Sequence, residues 1–474
     1  MDASTSPNAL DRTAPGRTRT AAGKLRHVPF PRMWGVTARD VYAFVALNVF
    51  LIVALWVRHG NLGELRSLAG TITAAGQLAA LYGTLMALIQ VVLVSRSPYL
   101  DEVFGTDRLL TFHRWGGFLT VWLLTAHFVL TTVGWGMGDG SGAVAEFGTL
   151  LLQYPYVLWA FVAMLLFGAV AVSSMKRARR KVSYETWYGI HLYMYLAIAL
   201  AFMHQLFVGT DFVTDPVARI YWIGLYVITF GSLLTWRVLL PLATSLRHQL
   251  RVANVVEEAP GVVSVYFTGR NLDRLAVRAG QWFLFRFLTR DDWYKPHPFS
   301  LSAAPNGRYL RITVKSLGDH TAMMRHLRPG TRVAIEGPYG ILTGAKRTKQ
   351  RVLLIAGGIG VTPLRALLEE LPAQPGAITL LYRASKPEEI TFREEIDTLA
   401  RMRGATVHYL VGKRGSPEMP NDPFSPKTFR SLVPDVITRD IYICGPAPMA
   451  TAVTKTLNAL RVPASQVHLE SFAY

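Results

Sequence analysis

The stretch FHRWGGFLTVWLLTAHF (112–128) decides how this chain reads. It is apolar apart from Arg114, yet a histidine stands near each end, His113 and His127, fourteen residues apart. A second stretch, TWYGIHLYMYLAIALAFMHQLFV (186–208), repeats the arrangement with His191 and His204, thirteen apart. A helix rises about 1.5 Å per residue, so each pair sets two imidazoles roughly 20 Å apart along its rod. Imidazole is costly in hydrocarbon unless partnered, which makes these four residues a functional site before they are anything else.

Outward from these stretches, hydropathy organises the rest. The 474 residues are 51% hydrophobic with mean hydropathy +0.25. Runs nearly free of charge cover 41–57, 67–95, 115–138, 147–175, 186–210 and 220–236. About 20 apolar residues cross a bilayer, so six transmembrane helices are expected. Past Leu246 the chain is mixed, charged and turn-rich, with room for two small domains. The net charge of +19 follows topology more than nucleic acid. Arg12, Arg17, Arg19, Lys24, Arg26, Arg32 and Arg39 precede the first span, KRARRK (176–181) fills the fourth loop, and Arg247 and Arg251 follow the last span. The odd-numbered loops hold only Arg58, Arg66 and Arg219. The positive-inside rule then puts both termini in the cytoplasm, in a plasma-membrane protein whose basic faces meet lipid. Residues 1–36 read as a disordered basic arm without a signal-peptide core or an acidic calcium loop. One cysteine, Cys444, allows no internal disulfide.

With that orientation, His113 and His191 open the third and fifth spans on the cytoplasmic side, while His127 and His204 lie nearer the outside. Depth pairs His113 with His191 and His127 with His204. Two helices so equipped can hold two b-type haems, each iron gripped by one His from each helix as metal ligand. The angular bookkeeping differs between the helices. A fourteen-residue step falls about 40° short of whole turns, but a thirteen-residue step falls about 140° short. The fifth span therefore needs a local distortion, or its two haems approach from different sides.

These residues resemble the six-span ferric reductase and NADPH oxidase family of transmembrane flavocytochromes b, in a bacterial-type form. The same fourteen-and-thirteen His spacing and the His113–Arg114 start of the third span carry the likeness. The resemblance implies a haem-binding transmembrane domain over 37–245, and Arg114 then faces either a haem propionate or the lipid interface.

Beyond Leu250, short period-two runs such as VVSVYF (262–267), QWFLFRF (281–287) and YLRITVKS (309–316) suggest an antiparallel β-barrel. Inside this region HPFSLSAAP (297–305) resembles the flavin segment of ferredoxin-reductase-like barrels, as found in the same family. That likeness implies an FAD-binding domain over 246–345. His297, Pro298 and Phe299 would line the flavin, and Ser300 and Ser302 would hydrogen-bond it. KSLGDHT (315–321) resembles the pyrophosphate turn, implicating Lys315, Gly318 and Thr321, although His320 stands where the family often has an aromatic. EGPYG (336–340) resembles the turn that closes the barrel.

The last segment, 346–474, opens with RVLLIAGGIGVTPLRALLEEL (351–371): a buried strand, a glycine turn and an amphipathic helix. Such a turn aims bare amides and a helix dipole at phosphate, with Gly357, Gly358 and Gly360 in the turn, Thr362 as N-cap and Pro363 first in the helix. Followed by YICGP (442–446), it resembles the family's α/β Rossmann-like NAD(P) domain. By that resemblance Cys444 sits beside the nicotinamide, with Gly445 and Pro446 shaping its pocket. The strand AITLLYRASK (377–386) ends in Arg383, Ser385 and Lys386 rather than an acid, which suits a 2′-phosphate and favours NADPH over NADH, with Arg414 assisting. The ending ESFAY supplies a terminal aromatic, Phe472 or its rival Tyr474, to cover the flavin as family members do.

Together the parts imply a multi-domain membrane oxidoreductase. Electrons would pass from NADPH through FAD and two haems to a small-molecule or protein acceptor at the outer face. Ferric iron and molecular oxygen (giving superoxide) rank level as acceptors, with a quinone or partner protein behind them. The third loop (134–148) has no basic residue to gather anionic chelates. A different class stands beside this one: a flavin reductase that is merely anchored. Nucleic acid is not an expected partner, and the sequence is silent on oligomeric state.

Overall fold

The structure is a computed structural model that describes residues 36–290, 293–413, 415–416, 419 and 422–471. The basic arm before Val36, Arg414, Phe472 and Tyr474 lie outside the described residues. The described residues divide into two compact units that meet at Val238 and Leu239.

Among the described residues of the whole chain, six helices are long and apolar enough to cross a membrane: Ala38–Arg58, Leu68–Val94, Thr106–Gly138, Val157–Ser174, Glu185–Val208 and Pro216–His248. Their outward faces carry large apolar side chains such as Trp122 (72% exposed) and Ile220 (73%). That is the pattern of helices whose solvent is lipid. Two spans differ from expectation. The run 147–175 is broken: a helix Ala143–Gln153 stops and the fourth span starts at Val157, with Tyr156 between them at φ +64°. Pro155 is the cause, because it bars helical backbone at the residue before it, and Tyr154 is extended. The sixth span runs well past Trp236, through a π turn at Thr235–Leu239. Pro241 lacks the donor that a regular turn needs, and a local widening upstream accommodates the loss.

The second and third spans pack along a seam of small residues. A Cβ on Gly76 would meet Thr131, one on Gly83 would meet Leu124, and one on Gly134 would meet Thr73. Close backbone approach of this kind is how helices associate where lipid supplies no hydrophobic drive.

In the second unit, β1 (Arg251–Ala259), β2 (Val262–Thr268) and β5 (Leu310–Lys315) form one antiparallel sheet. β3 (Trp282–Phe287), β4 (His297–Ser300) and β6 (Val333–Tyr339) form another. Isolated bridges at Arg251–Arg332 and Leu301–Ile312 link the two. The pairing is thus two three-stranded sheets with single bridges between them, and no continuous closed ladder is seen among the described residues. Phe267, Phe283, Phe285 and Ile312 fill the space between them.

The remainder is a five-stranded parallel sheet in the order β11-β10-β7-β8-β9, with β7 (Arg351–Gly357), β8 (Ile378–Ala384), β9 (Thr406–Val411), β10 (Arg439–Gly445) and β11 (Val467–Ser471). VLLIA and IYIC are fully buried because helices cover both faces of such a sheet. An ion-pair network ties this layer to the first two sheets. Arg311 of β5 reaches Glu395 at 3.1 Å, Arg365 also contacts Glu395, and the Ala304 amide donates to Glu369 at 2.8 Å.

Candidate functional site

In the membrane unit, the four histidines come together as depth predicts. The rings of His113 and His191 have centroids 5.9 Å apart with planes at 67°, and those of His127 and His204 are 6.5 Å apart at 22°. A metal–imidazole bond of about 2 Å on each side, with about 1 Å from each nitrogen to its ring centre, separates two axial rings by roughly 6 Å. Both pairs therefore fit a bis-imidazole iron. His127 Nδ1 lies 3.1 Å from the Gly76 carbonyl. A carbonyl only accepts, so Nδ1 carries the proton and Nε2 keeps its lone pair for a metal. A cavity lined by His127, His204, Leu124, Phe128, Phe161 and Phe167 adjoins this pair, an apolar setting suited to a flat macrocycle.

The fifth span is uninterrupted α-helix from Tyr184 to Val208. Of the two alternatives, the local distortion is absent, which leaves His191 and His204 on different sides of that helix. Arg114 is exposed on the third span.

In the second unit, HPFS forms β4, paired with β3. Ser300 is buried, and its hydroxyl has no hydrogen-bond partner, which suits an incoming polar group. Ser302 differs: it accepts from Arg311 Nε (3.1 Å) and from the Thr313 hydroxyl (2.7 Å), so it braces the sheet interior. The His297 ring stacks on Phe299 at 6.3 Å, and Pro298 between them is exposed. Lys315 ends β5 half-buried. Thr321 is spent on its own turn, accepting from the Leu317 and Gly318 amides and donating to the Gly318 carbonyl. Open space lies over Gly318, where a Cβ would meet nothing within 4 Å.

The order of the parallel sheet reverses between β7 and β10, and a crevice outside the carboxyl ends at such a switch point is where open α/β sheets bind ligands. Both glycine turns stand there. A Cβ on Gly360 would overlap the Cys444 carbonyl, and one on Gly357 would overlap Met449. Gly358 takes φ +54°, a left-handed backbone that glycine adopts freely. Gly445 ends β10 and Pro446 follows it directly, while Cys444, one residue earlier in the strand, is fully buried. Burial, and then the Glu470 carboxylate, hold its thiol protonated well above the usual range.

Thr362 is not the N-cap. Its helix is Val361–Glu370, capped by Gly360, and the Thr362 hydroxyl donates to the Ile359 carbonyl at 3.0 Å. A tight turn at Gly358–Gly360 starts the coil early, leaving Pro363 within the first turn, where no amide is needed. Arg383 is committed to the Ala384, Leu410 (3.0 Å) and Gly412 carbonyls while lining a cleft with Phe424, Pro446 and Met449. The Ser385 amide donates to Glu389 at 3.1 Å, so an acid does stand near the end of β8. The strand's own ending gave no sign of it, because that acid comes from the following turn.

Parts of the chain match two families of known proteins. The family described as "Ferric reductase like transmembrane component" matches residues 79–202, which include His113, His127 and His191 and stop two short of His204. The family "Oxidoreductase NAD-binding domain" matches 354–455. Over 240 residues the chain is 28% identical to the ferredoxin reductase component of 3-ketosteroid-9-alpha-monooxygenase from Mycobacterium tuberculosis, covering 47% of this chain and 65% of that protein. It is 31% identical over 201 residues to a flavohemoprotein of Halalkalibacterium halodurans, covering 37% and 46%. Among solved structures, a ferredoxin NADP+ reductase from Neisseria gonorrhoeae with bound FAD and NADP aligns with TM-score 0.40 at 17% identity, over 48% of this chain and 98% of that one.

Proposed function

Because the chain joins a ferric reductase-like transmembrane component to an oxidoreductase NAD-binding domain, we propose that it is an NAD(P)H-dependent transmembrane oxidoreductase. It takes reducing equivalents from cytosolic NADPH and delivers electrons to an acceptor at the outer face of the plasma membrane. In this reading 37–245 is the haem domain, 246–345 a barrel-like FAD domain and 346–474 the nucleotide domain, with both termini cytoplasmic. When bound, FAD supplies hydride acceptance and single-electron release, and two b haems supply single-electron carriage across the bilayer.

The observation that carries the reading is the two imidazole couples, 5.9 and 6.5 Å between ring centres, on two levels of the third and fifth spans. His113 with His191 would hold one iron, and His127 with His204 the other. The Ser300 hydroxyl and the backbone over Gly318 would receive the flavin. The amides of Gly358–Gly360 and the helix behind them would face the nucleotide pyrophosphate. Cys444, protonated and buried, would form the wall behind the nicotinamide, with Phe472 or Tyr474 covering the flavin until the nicotinamide arrives. Arg383, Ser385 and Arg414 favour NADPH. Glu389 beside the Ser385 amide favours NADH instead, since a carboxylate suits a free 2′-hydroxyl.

Ferric iron and molecular oxygen stand level as acceptors, ahead of a quinone or protein. Right-side-out and inverted vesicles given NADPH or NADH discriminate these, with ferric citrate and oxygen as acceptors. The proposal expects nucleotide oxidation only when the nucleotide reaches the cytoplasmic face, with acceptor reduced on the opposite face. Reduction confined to the nucleotide's own side would support the anchored flavin reductase.

A further inference from the structure

Gln90 on the second span is 8% exposed, and both polar atoms of its carboxamide are buried without a hydrogen-bond partner. Leaving an amide unpaired inside a protein costs about 1–3 kcal/mol, so such a group calls for a reason. Its surroundings supply one. On the third span, the residue facing it is Gly116, where any Cβ would overlap Gln90 Nε2. Gly116 is one helical turn from His113. The His113 ring approaches the Gln90 backbone carbonyl, yet its Nδ1 completes no hydrogen bond. An unpaired donor and an unpaired acceptor thus share one level of one seam.

The other histidine of the third span shows what is missing. His127 Nδ1 is satisfied by the Gly76 carbonyl, also on the second span. Gly76 and Gln90 are fourteen residues apart, as are His113 and His127, and consecutive spans run antiparallel. Gln90 therefore stands at the His113 level where Gly76 stands at the His127 level, but there the backbone carbonyl stops short of a hydrogen bond and the unpaired carboxamide is the acceptor left. Metal-bound histidines nearly always donate their second N–H to such an acceptor, which fixes the ring and raises its basicity.

We propose that Gln90 is the positioning residue for His113, its carboxamide oxygen accepting from the His113 Nδ1–H when the iron at this level is bound. The inference rests on the haem reading above. An acceptor there makes the imidazole a stronger donor and favours ferric iron, so removing it makes this haem easier to reduce while the His127–His204 haem is untouched.

The test is a spectroscopic redox titration of full-length Gln90→Met and Gln90→Leu protein, Met matching the original shape more closely should Leu not fold. The same titration in a His127→Ala background, which keeps only the His113–His191 level, assigns the component. At a fixed ambient potential, the reduced-to-oxidised ratio of this haem should rise roughly tenfold, the effect of one buried hydrogen bond. Two bound haems with neither titration moved, or both moved alike, overturn the proposal. So does a gain in thermal stability without a redox shift, because it marks Gln90 as an idle orphan amide. Protein that binds no haem at all overturns instead the reading on which this rests.

Discussion

The two units hold their key residues by different means. In the nucleotide layer the backbone does it. Two glycine turns meet at the switch point between β7 and β10, fixed by strands whose every interior side chain is buried. In the membrane unit, single contacts do it. The His127 ring leans on the Gly76 carbonyl of the second span, across a seam of glycines, and the His113 ring lies beside Gln90 of that span. Backbone placement spreads its tolerance over a whole sheet, whereas point contacts concentrate failure on single atoms. Substitutions should therefore have local, level-specific effects in the membrane and graded effects in the sheet.

The largest expected effect breaks the membrane side alone. His127→Ala should lose one of two haems in a reduced-minus-oxidised spectrum and abolish transfer across vesicles, while nucleotide-dependent dye reduction persists. Loss of dye reduction as well would show that the units do not fail separately. The converse is Gly360→Ala, whose Cβ overlaps the Cys444 carbonyl. Displacing the turn by an ångström should cut NADPH-dependent dye reduction on the order of a hundredfold, with the haem spectrum unchanged. Steady-state rates and spectra on one preparation read both.

Glu395→Gln probes the junction between the sheet layers. Arg311 (4% exposed) and Arg365 (5%) both lean on that carboxylate. Because the carboxylate is itself about a third exposed, the loss should be about 1–3 kcal/mol, below that of a fully buried pair. A thermal melt followed by flavin release measures it. Haem absorbance should melt unchanged. The smallest effect concerns Cys444. Burial raises its thiol pKa, so at pH 8 less thiolate is present than for a free cysteine, whose pKa is about 8.5. Alkylation by iodoacetamide in the native protein should be at least roughly tenfold slower than in denaturant and should speed up only as pH rises. Equal rates would mean that the strand end is open.

How much of this was legible in the sequence follows the same division. Hydropathy marks the spans because a bilayer demands continuous apolar length, and His depth alone pairs the four rings correctly. The break at Pro155 was written in the chain, but an apolar count over 147–175 passes over a proline. The nucleotide turn was readable from glycines after a buried strand, yet its cap was misplaced by two residues, since the tight turn at Gly358–Gly360 leaves no local signature. Partners contributed by other elements were invisible. The Gly76 carbonyl lies 51 residues from His127, and Glu395 lies 84 from Arg311. Nothing in a linear pattern distinguishes Gln90 from any polar residue on an apolar helix. Its meaning comes only from the glycine opposite and the unpaired ring beside it.

The central claim is that the third and fifth spans clamp two irons at two levels. Quantifying haem in full-length protein purified after haem-replete expression tests it most directly. The account predicts two b haems per chain, with both ferric signals showing bis-histidine ligation. A preparation without Soret absorbance, or with haem that survives replacement of all four histidines, would contradict it.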